Sequence, residues 1–267
     1  MSYVHLLLLA LVQGVTEFLP VSSSGHLILL PALLGIEDQG LALDVAVHVG
    51  TLFAVVVYFR RDVATAALGV PALVAGRWTD PAARLAGLLV VATIPVVLAG
   101  ALMKLTGVVD LLRSPATIGW ATLVFGLILY WADRTGAEAR MTTDWTLKHA
   151  VIMGLWQALA LIPGTSRSGI TITGARLLGY TRTEGARLAM LMSIPTIAAS
   201  GVLLGAEVVG RLDWSLLRDA GIAAAMAFAS ALLALHLMFR LLEHVSFTPY
   251  VIYRVMLGVG LLLYAYA

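Results

Sequence analysis

The sequence predicts an all-α polytopic membrane protein, with six transmembrane helices plus two re-entrant helical hairpins arranged as an inverted-topology repeat. Three observations carry this prediction. Of the 267 residues, 60% are hydrophobic and 12% charged, with a mean hydropathy of +0.95, far from the composition of a soluble globular domain. Six apolar stretches are long enough to cross a bilayer. Two further apolar regions are each broken at the centre by a similar Pro/Gly/Ser-rich motif, one in each half of the chain.

At the N-terminus, MSYVHLLLLALVQG lacks a basic n-region and a small-residue cleavage site, so no removable signal peptide is expected. The first broken region, about 3–34, places two apolar segments around VTEFLPVSSSGHLILL; the second, about 148–180, does the same around LALIPGTSRSGITIT. Each segment has about a dozen residues, too few to cross the hydrocarbon core as a helix. Non-helical backbone at membrane depth is tolerated only where protein or a wet cavity satisfies its N–H and C=O groups. Both breaks therefore imply a cavity.

The six spans are expected at 41–59, 85–104, 116–132, 187–209, 219–239 and 249–266. Polar connections join them: RRDV and RWTDPAAR after the first, DLLRSPAT after the second, ADRTGAEARMTTDW after the third. None is large enough for a soluble domain. Trp120, Trp131, Trp145, Trp214 and the C-terminal tyrosines are expected as interfacial anchors.

Shifting the chain on itself by 144 residues superposes the two breaks. Leu11, Gln13, Ser22, Ser24, Gly25, Leu33, Leu34 and Gly35 meet Leu155, Gln157, Ser166, Ser168, Gly169, Leu177, Leu178 and Gly179. Each copy precedes three spans, an odd number, so the second half enters the membrane inverted relative to the first. The expected units are residues 1–133 and 134–267, together one integral membrane domain whose broken segments meet near the midplane. On this topology Arg60, Arg61, Arg77, Arg84, Arg134, Arg140, Lys148, Arg176, Arg182, Arg187 and Arg240 share one side, against Lys104, Arg113, Arg211 and Arg218. The richer side is expected to be cytoplasmic, with both termini and the mouth of the first hairpin facing outward.

Composition also narrows the chemistry. With no cysteine there is no disulfide and no thiolate metal site, and a net charge of +2 gives no reason to expect a nucleic-acid partner. The first break gathers Glu17, Ser22, Ser23, Ser24, Gly25 and His26; the second contributes Ser166, Arg167, Ser168 and Gly169. A guanidinium presents five donors in a fixed fork suited to phosphate oxygens. Gly/Ser-rich backbone before a helix N-terminus adds N–H donors and the positive end of a dipole. Hydroxyls and an imidazole supply a nucleophile and a proton carrier, while Glu17 can orient His26, deprotonate a hydroxyl or ligate a divalent cation. The set is sufficient for phosphoryl hydrolysis. Glu17 and Arg167 can equally form a structural ion pair that holds the two breaks together.

QGVTEFLPVSSSGH and PGTSRSG resemble the two signature motifs of the undecaprenyl-diphosphate phosphatase family, the bacitracin-resistance proteins of bacterial envelopes. DVAVHVGTLFAVVVYFRRD and SFTPYVIYRVMLG extend the resemblance over the chain. It implies dephosphorylation of a C55 isoprenyl diphosphate to the monophosphate that carries cell-wall precursors, six spans with two re-entrant hairpins, and a requirement for a divalent cation such as Mg or Ca. The family's acidic motif falls on Gln13 and Glu17, and its serine–histidine motif on Ser22, Ser23, Ser24 and His26. The arginine motif falls on Ser166, Arg167 and Ser168. Gln13 stands where the family also uses a second glutamate, which concentrates cation binding on Glu17.

On this resemblance the substrate is a prenyl diphosphate lipid, its tail among helices or membrane lipids, in the inner (plasma) membrane with the site opening outward. Ser23 is the preferred nucleophile with His26 as acid/base, though His26 itself or water remain alternatives. Arg254 is read either as reaching the second phosphate or as a structural charge, and His48 and His236 are expected to serve structural or interfacial roles. The rival function is a lipid-phosphate transporter or flippase using the same midplane site; a third is a lipid-phosphate binding subunit. A homodimer is compatible with so small a chain and required by nothing in it.

Overall fold

The computed structural model describes residues 3–35, 39–208 and 213–267, which form helices, short 3-10 turns and no β-strand. In chain order the helices are α1 (Tyr3–Thr16), α2 (Ser23–Leu34), α3 (Leu41–Tyr58), α4 (Arg60–Val74), α5 (Pro81–Thr106), α6 (Val108–Leu111), α7 (Pro115–Thr135), α8 (Leu147–Ala158), α9 (Arg167–Leu177), α10 (Arg182–Val208), α11 (Trp214–Leu242) and α12 (Thr248–Tyr266). Among the described residues, six of these, α3, α5, α7, α10, α11 and α12, are long and apolar enough to cross a membrane. They coincide with the six spans expected from hydropathy, so the chain is a multi-pass membrane protein. Arg211, which entered the count of basic residues, lies outside the described residues.

Local chemistry sets several of the boundaries. Asp80 caps α5 by accepting from the amides of Ala82 and Ala83 at 2.8 and 3.2 Å, with Pro81 at the first helical position. Ser114 and Pro115 open α7 in the same way, Ser114 accepting from Thr117 at 3.1 Å. Such caps satisfy amides that no preceding turn can reach. α4 is a departure from the sequence reading, which saw only polar connections between the first two spans. It is a 15-residue helix packed along α5; its low hydropathy hid it because only one face is covered.

Packing is through small residues. α1 lies along α11 and α8 along α5, while α3 packs on α11 and α10, and α7 on α12. At Gly14 a side chain would collide with Ser230 and Ala231, at Gly50 with the Ala224 carbonyl, and at Gly154 with the Ala92 carbonyl. These close approaches give dispersion contacts where lipid removes the hydrophobic drive between helices. The largest apolar core joins Phe18, Val55, Phe59, Leu129, Ile172, Met190, Leu235, Met238 and Phe247. Phe18 thus anchors the first break from within.

At one end of the bundle a buried ionic cluster ties α7, α9, α10 and α12. Arg176 Nε and Arg182 Nε donate to Asp133 Oδ1 at 3.2 and 2.7 Å, Glu138 receives both arginines, and Asp133 Oδ2 accepts the Phe247 amide at 3.2 Å. Tyr180, in the turn before α10, is pushed by burial up to about 12. Its phenol accordingly stays protonated beside His149. Trp145 corrects an expectation: it is 2% exposed, packed with Leu88, Ala92, Ala150 and Leu188. Trp120, Trp131 and Trp214 are exposed as anchors should be.

Candidate functional site

The two breaks are built alike. After Thr16 the chain leaves α1 and turns through 17–22 before α2; after Ala158 it passes through a 3-10 turn, Leu159–Leu161, and a loop before α9. Among the described residues, the non-glycine positions with positive φ are Ser22 (78°) and Ser166 (70°). These are repeat partners 144 positions apart. Left-handed backbone costs a side-chain-bearing residue about 1–3 kcal/mol, and the same hydrogen bonds offset it at both sites. Ser22 Oγ accepts the Gly25 amide at 3.4 Å and pairs with Ser24 Oγ at 3.3 Å. Ser166 Oγ accepts the Gly169 amide at 3.1 Å and pairs with Ser168 Oγ at 3.1 Å. Gly35 and Gly179, also partners, close the copies with φ of 63° and 86°.

Glu17 is the point where the two breaks meet. Its buried carboxylate accepts Gln13 Nε2 at 2.8 Å and Ser23 Oγ at 2.6 Å on Oε2, and the Arg167 guanidinium on Oε1. The ion pair foreseen between Glu17 and Arg167 is formed. A second tie crosses beside it, Ser168 Oγ donating to the Leu19 carbonyl at 3.0 Å. The Arg167 side chain remains 18% exposed, so part of its donor fork is open to a ligand.

Ser23 is bonded to Glu17 and not to His26. Although the two lie three residues apart on α2, the imidazole turns elsewhere: Nδ1 lies 2.6 Å from the Ser22 carbonyl and Nε2 lies 2.5 Å from Tyr253 Oη. The carboxylate offers the hydroxyl a stronger acceptor.

Arg254, read from the sequence as either a phosphate ligand or a structural charge, is fully buried and gives its guanidinium to main-chain carbonyls. Nε donates to Thr122 at 3.1 Å, Nη1 to Pro20 at 3.3 Å, and Nη2 to Thr165 at 2.9 Å, Gly164 at 3.2 Å and Ala121 at 3.5 Å. Pro20 belongs to the first break, Gly164 and Thr165 to the second, Ala121 and Thr122 to α7. Glycines make the slot: a side chain at Gly169 would meet Arg254 Nη1 at 2.8 Å, and one at Gly126 its Nε at 3.2 Å. A buried cation among oriented carbonyls recovers part of its lost hydration.

Two groups reach the site that the sequence reading did not place there. His48 on α3 brings Nε2 to 3.7 Å from Glu17 Oε2, with Nδ1 2.7 Å from the Asp44 carbonyl. Tyr253 holds His26. Neither sits in a break, and only the motif resemblance around DVAVHVG and PYVIYR touched them. His236 is exposed on α11.

The chemistry of the donor set bears on a divalent cation. Among the described residues no three acidic or imidazole side chains converge into a cage. The hard oxygens present are the Glu17 carboxylate and the Gln13 amide oxygen, which is buried and has no hydrogen-bond partner among the described residues. Gln13 gives Nε2 to the Glu17 carboxylate, so its amide oxygen points away from it; turning the amide over would bring an amide and a carboxylate oxygen together for Mg or Ca, which complete their shells with water or ligand oxygens. Gln157, the repeat partner of Gln13, is equally buried with its amide oxygen free, but faces no carboxylate at the matching position, Leu161.

The family model described as Bacitracin resistance protein BacA matches residues 6–260. Curated relatives match end to end. The undecaprenyl-diphosphatase of Ruegeria pomeroyi is 67% identical over 267 residues, covering all of both chains, and that of Jannaschia sp. is 65% identical over the same coverage. A more distant protein of the same name, from Maricaulis maris, is 49% identical over 269 residues and 99% of each chain.

Proposed function

Since the chain belongs to the bacitracin resistance protein BacA family, we propose that it acts as an undecaprenyl-diphosphatase. It is a membrane phosphatase that converts a C55 isoprenyl diphosphate to the monophosphate and inorganic phosphate, returning the lipid carrier to cell-wall synthesis and thereby giving bacitracin resistance. The observation that carries the reading is the bonding of one buried carboxylate, Glu17, to a hydroxyl from its own break and a guanidinium from the other.

In the reaction we propose, Ser23 Oγ attacks the terminal phosphorus as its proton passes to Glu17 Oε2, already its hydrogen-bond partner. The bond to the bridging oxygen breaks and the prenyl monophosphate departs as an anion. Water then attacks the phosphoserine, its proton taken by His26, and the P–Oγ bond breaks as Glu17 returns its proton to Ser23 Oγ, releasing inorganic phosphate. The open donors of Arg167 and the first-turn amides of α2 and α9 stabilise charge on the transferring phosphoryl group. A divalent cation, when bound, would be held by Glu17 and Gln13 and would supply further neutralisation of the diphosphate. Ser22, Ser24, Ser166, Ser168, Gly25 and Gly169 shape the two loops around the phosphates.

We read residues 1–133 and 134–267 as two inverted copies, each a re-entrant hairpin followed by three spans. The matched backbone at Ser22 and Ser166, the matched glycines, and the parallel packing of α1 on α11 and α8 on α5 support this. The excess of basic residues on one side supports a plasma-membrane orientation with the first hairpin opening outward. Every group used in the reaction comes from one chain, so a homodimer is not required.

The test is phosphate release by purified protein in detergent with a C55 isoprenyl diphosphate and Mg or Ca. Detergent leaves no compartments, so a transporter working without hydrolysis would release nothing. Such a result, with lipid redistribution in vesicles, would replace the phosphatase reading.

A further inference from the structure

The contact between His26 and Tyr253 joins residues 227 positions apart. His26 Nδ1 lies 2.6 Å from the Ser22 carbonyl, which can only accept. Nδ1 therefore carries the hydrogen, and the neutral ring presents a bare Nε2. That nitrogen lies 2.5 Å from Tyr253 Oη, so the phenol donates to it. The two rings are within 7° of parallel with centroids 5.7 Å apart.

The pair is held from both sides. His26 is tied to the carbonyl of Ser22, whose left-handed backbone is fixed by its own cap. Tyr253 immediately precedes Arg254, whose Nη1 grips Pro20, two residues before Ser22. α12 thus carries, in consecutive side chains, one anchor for the loop and one for the imidazole on it. A phenol suits both states of the ring, donating to bare Nε2 and accepting from Nε2–H once the ring has taken a proton. A phenylalanine would serve neither state.

We infer that Tyr253 is a positioning residue of this site: its phenol fixes the tautomer and orientation of the neutral His26 ring, yields Nε2 when the ring takes up a proton, and then accepts from the imidazolium N–H. The inference rests on the phosphatase reading, with His26 as the acid/base. It goes further in assigning to α12 the control of that base.

Tyr253→Phe keeps the ring and removes the hydroxyl. The expected result is a kcat lower by about tenfold with KM near that of the parent, since proton transfer and not ground-state binding is affected. The second readout is independent of activity: protein labelled with 15N-histidine in detergent, with the His26 signals assigned by comparison with His26→Gln. The Nε2 signal of His26 should move in Tyr253→Phe toward that of an imidazole lacking an accepted hydrogen bond, while Nδ1 stays protonated. An unmoved Nε2 signal overturns the inference, as does a moved signal with unchanged kcat. A parent that releases no phosphate overturns the phosphatase reading and the assigned role with it, a failure distinguishable because the nitrogen signals still report the contact.

Discussion

Ser23 Oγ donates a hydrogen bond to Glu17 at 2.6 Å while Glu17 is simultaneously held by Arg167 from the opposite half of the chain. In the proposed mechanism nucleophile, base and guanidinium are therefore one hydrogen-bonded unit before any substrate arrives, and changes to any of them have distinct signatures.

Ser23→Ala should lower kcat by roughly a thousandfold or more if attack is covalent. Because loss of a transition-state donor alone can cost about a hundredfold or more, the decisive measurement is rapid quenching with substrate labelled on its terminal phosphate. An acid-stable phosphoserine is expected in the parent and absent in Ser23→Ala. An acid-labile, base-stable adduct would transfer the role to His26, and no adduct would mean direct attack by water.

Arg167→Lys keeps the charge beside Glu17 but cannot pair with that carboxylate and present a fork to phosphate together. The expected outcome is a folded protein with kcat/KM lower by about a hundredfold. Parent-like activity would reduce Arg167 to the structural half of an ion pair.

Arg254→Lys distinguishes a loop anchor from a phosphate ligand. Three ammonium hydrogens on a differently shaped stem cannot serve carbonyls on α7 and both breaks, so a stability loss of about 2–3 kcal/mol is expected from the carbonyls left without donors. Thermal unfolding in detergent measures it. An unchanged midpoint with a raised KM would restore Arg254 to the substrate.

Cysteines at Glu37 and Glu138 should be labelled by an impermeant thiol reagent from opposite sides, Glu37 from outside; the native chain contributes no background thiol. Glu37 lies outside the described residues, and Glu138 is half-exposed at the ionic end of the bundle. Labelling from the same side would contradict the inverted arrangement.

The spans were legible because length and hydropathy suffice for them, and the breaks because polar residues are conspicuous in an apolar run. α4 was not, since an amphipathic surface helix lacks both signals. At the site, Glu17 and Arg167 could be named from the two motifs, but the bond of Ser23 to Glu17 in preference to His26 depends on rotamers that spacing does not encode. Arg254 could not be assigned from the sequence for a physical reason. A charge in an apolar segment demands a partner, and the sequence of a helix cannot say whether that partner is a ligand or the carbonyls of a broken backbone elsewhere.

The shared backbone of Ser22 and Ser166 is followed by different side chains, Ser23 in one copy and Arg167 in the other. Two identical sockets thus hold two different tools, and neither half owns a working set. Separately expressed, residues 1–133 would contain the carboxylate, hydroxyl and imidazole without their cation, and residues 134–267 the guanidinium without its acid. Catalytic competence on this plan emerges only from docking the halves, so the interface between them is as necessary to the reaction as the reacting groups.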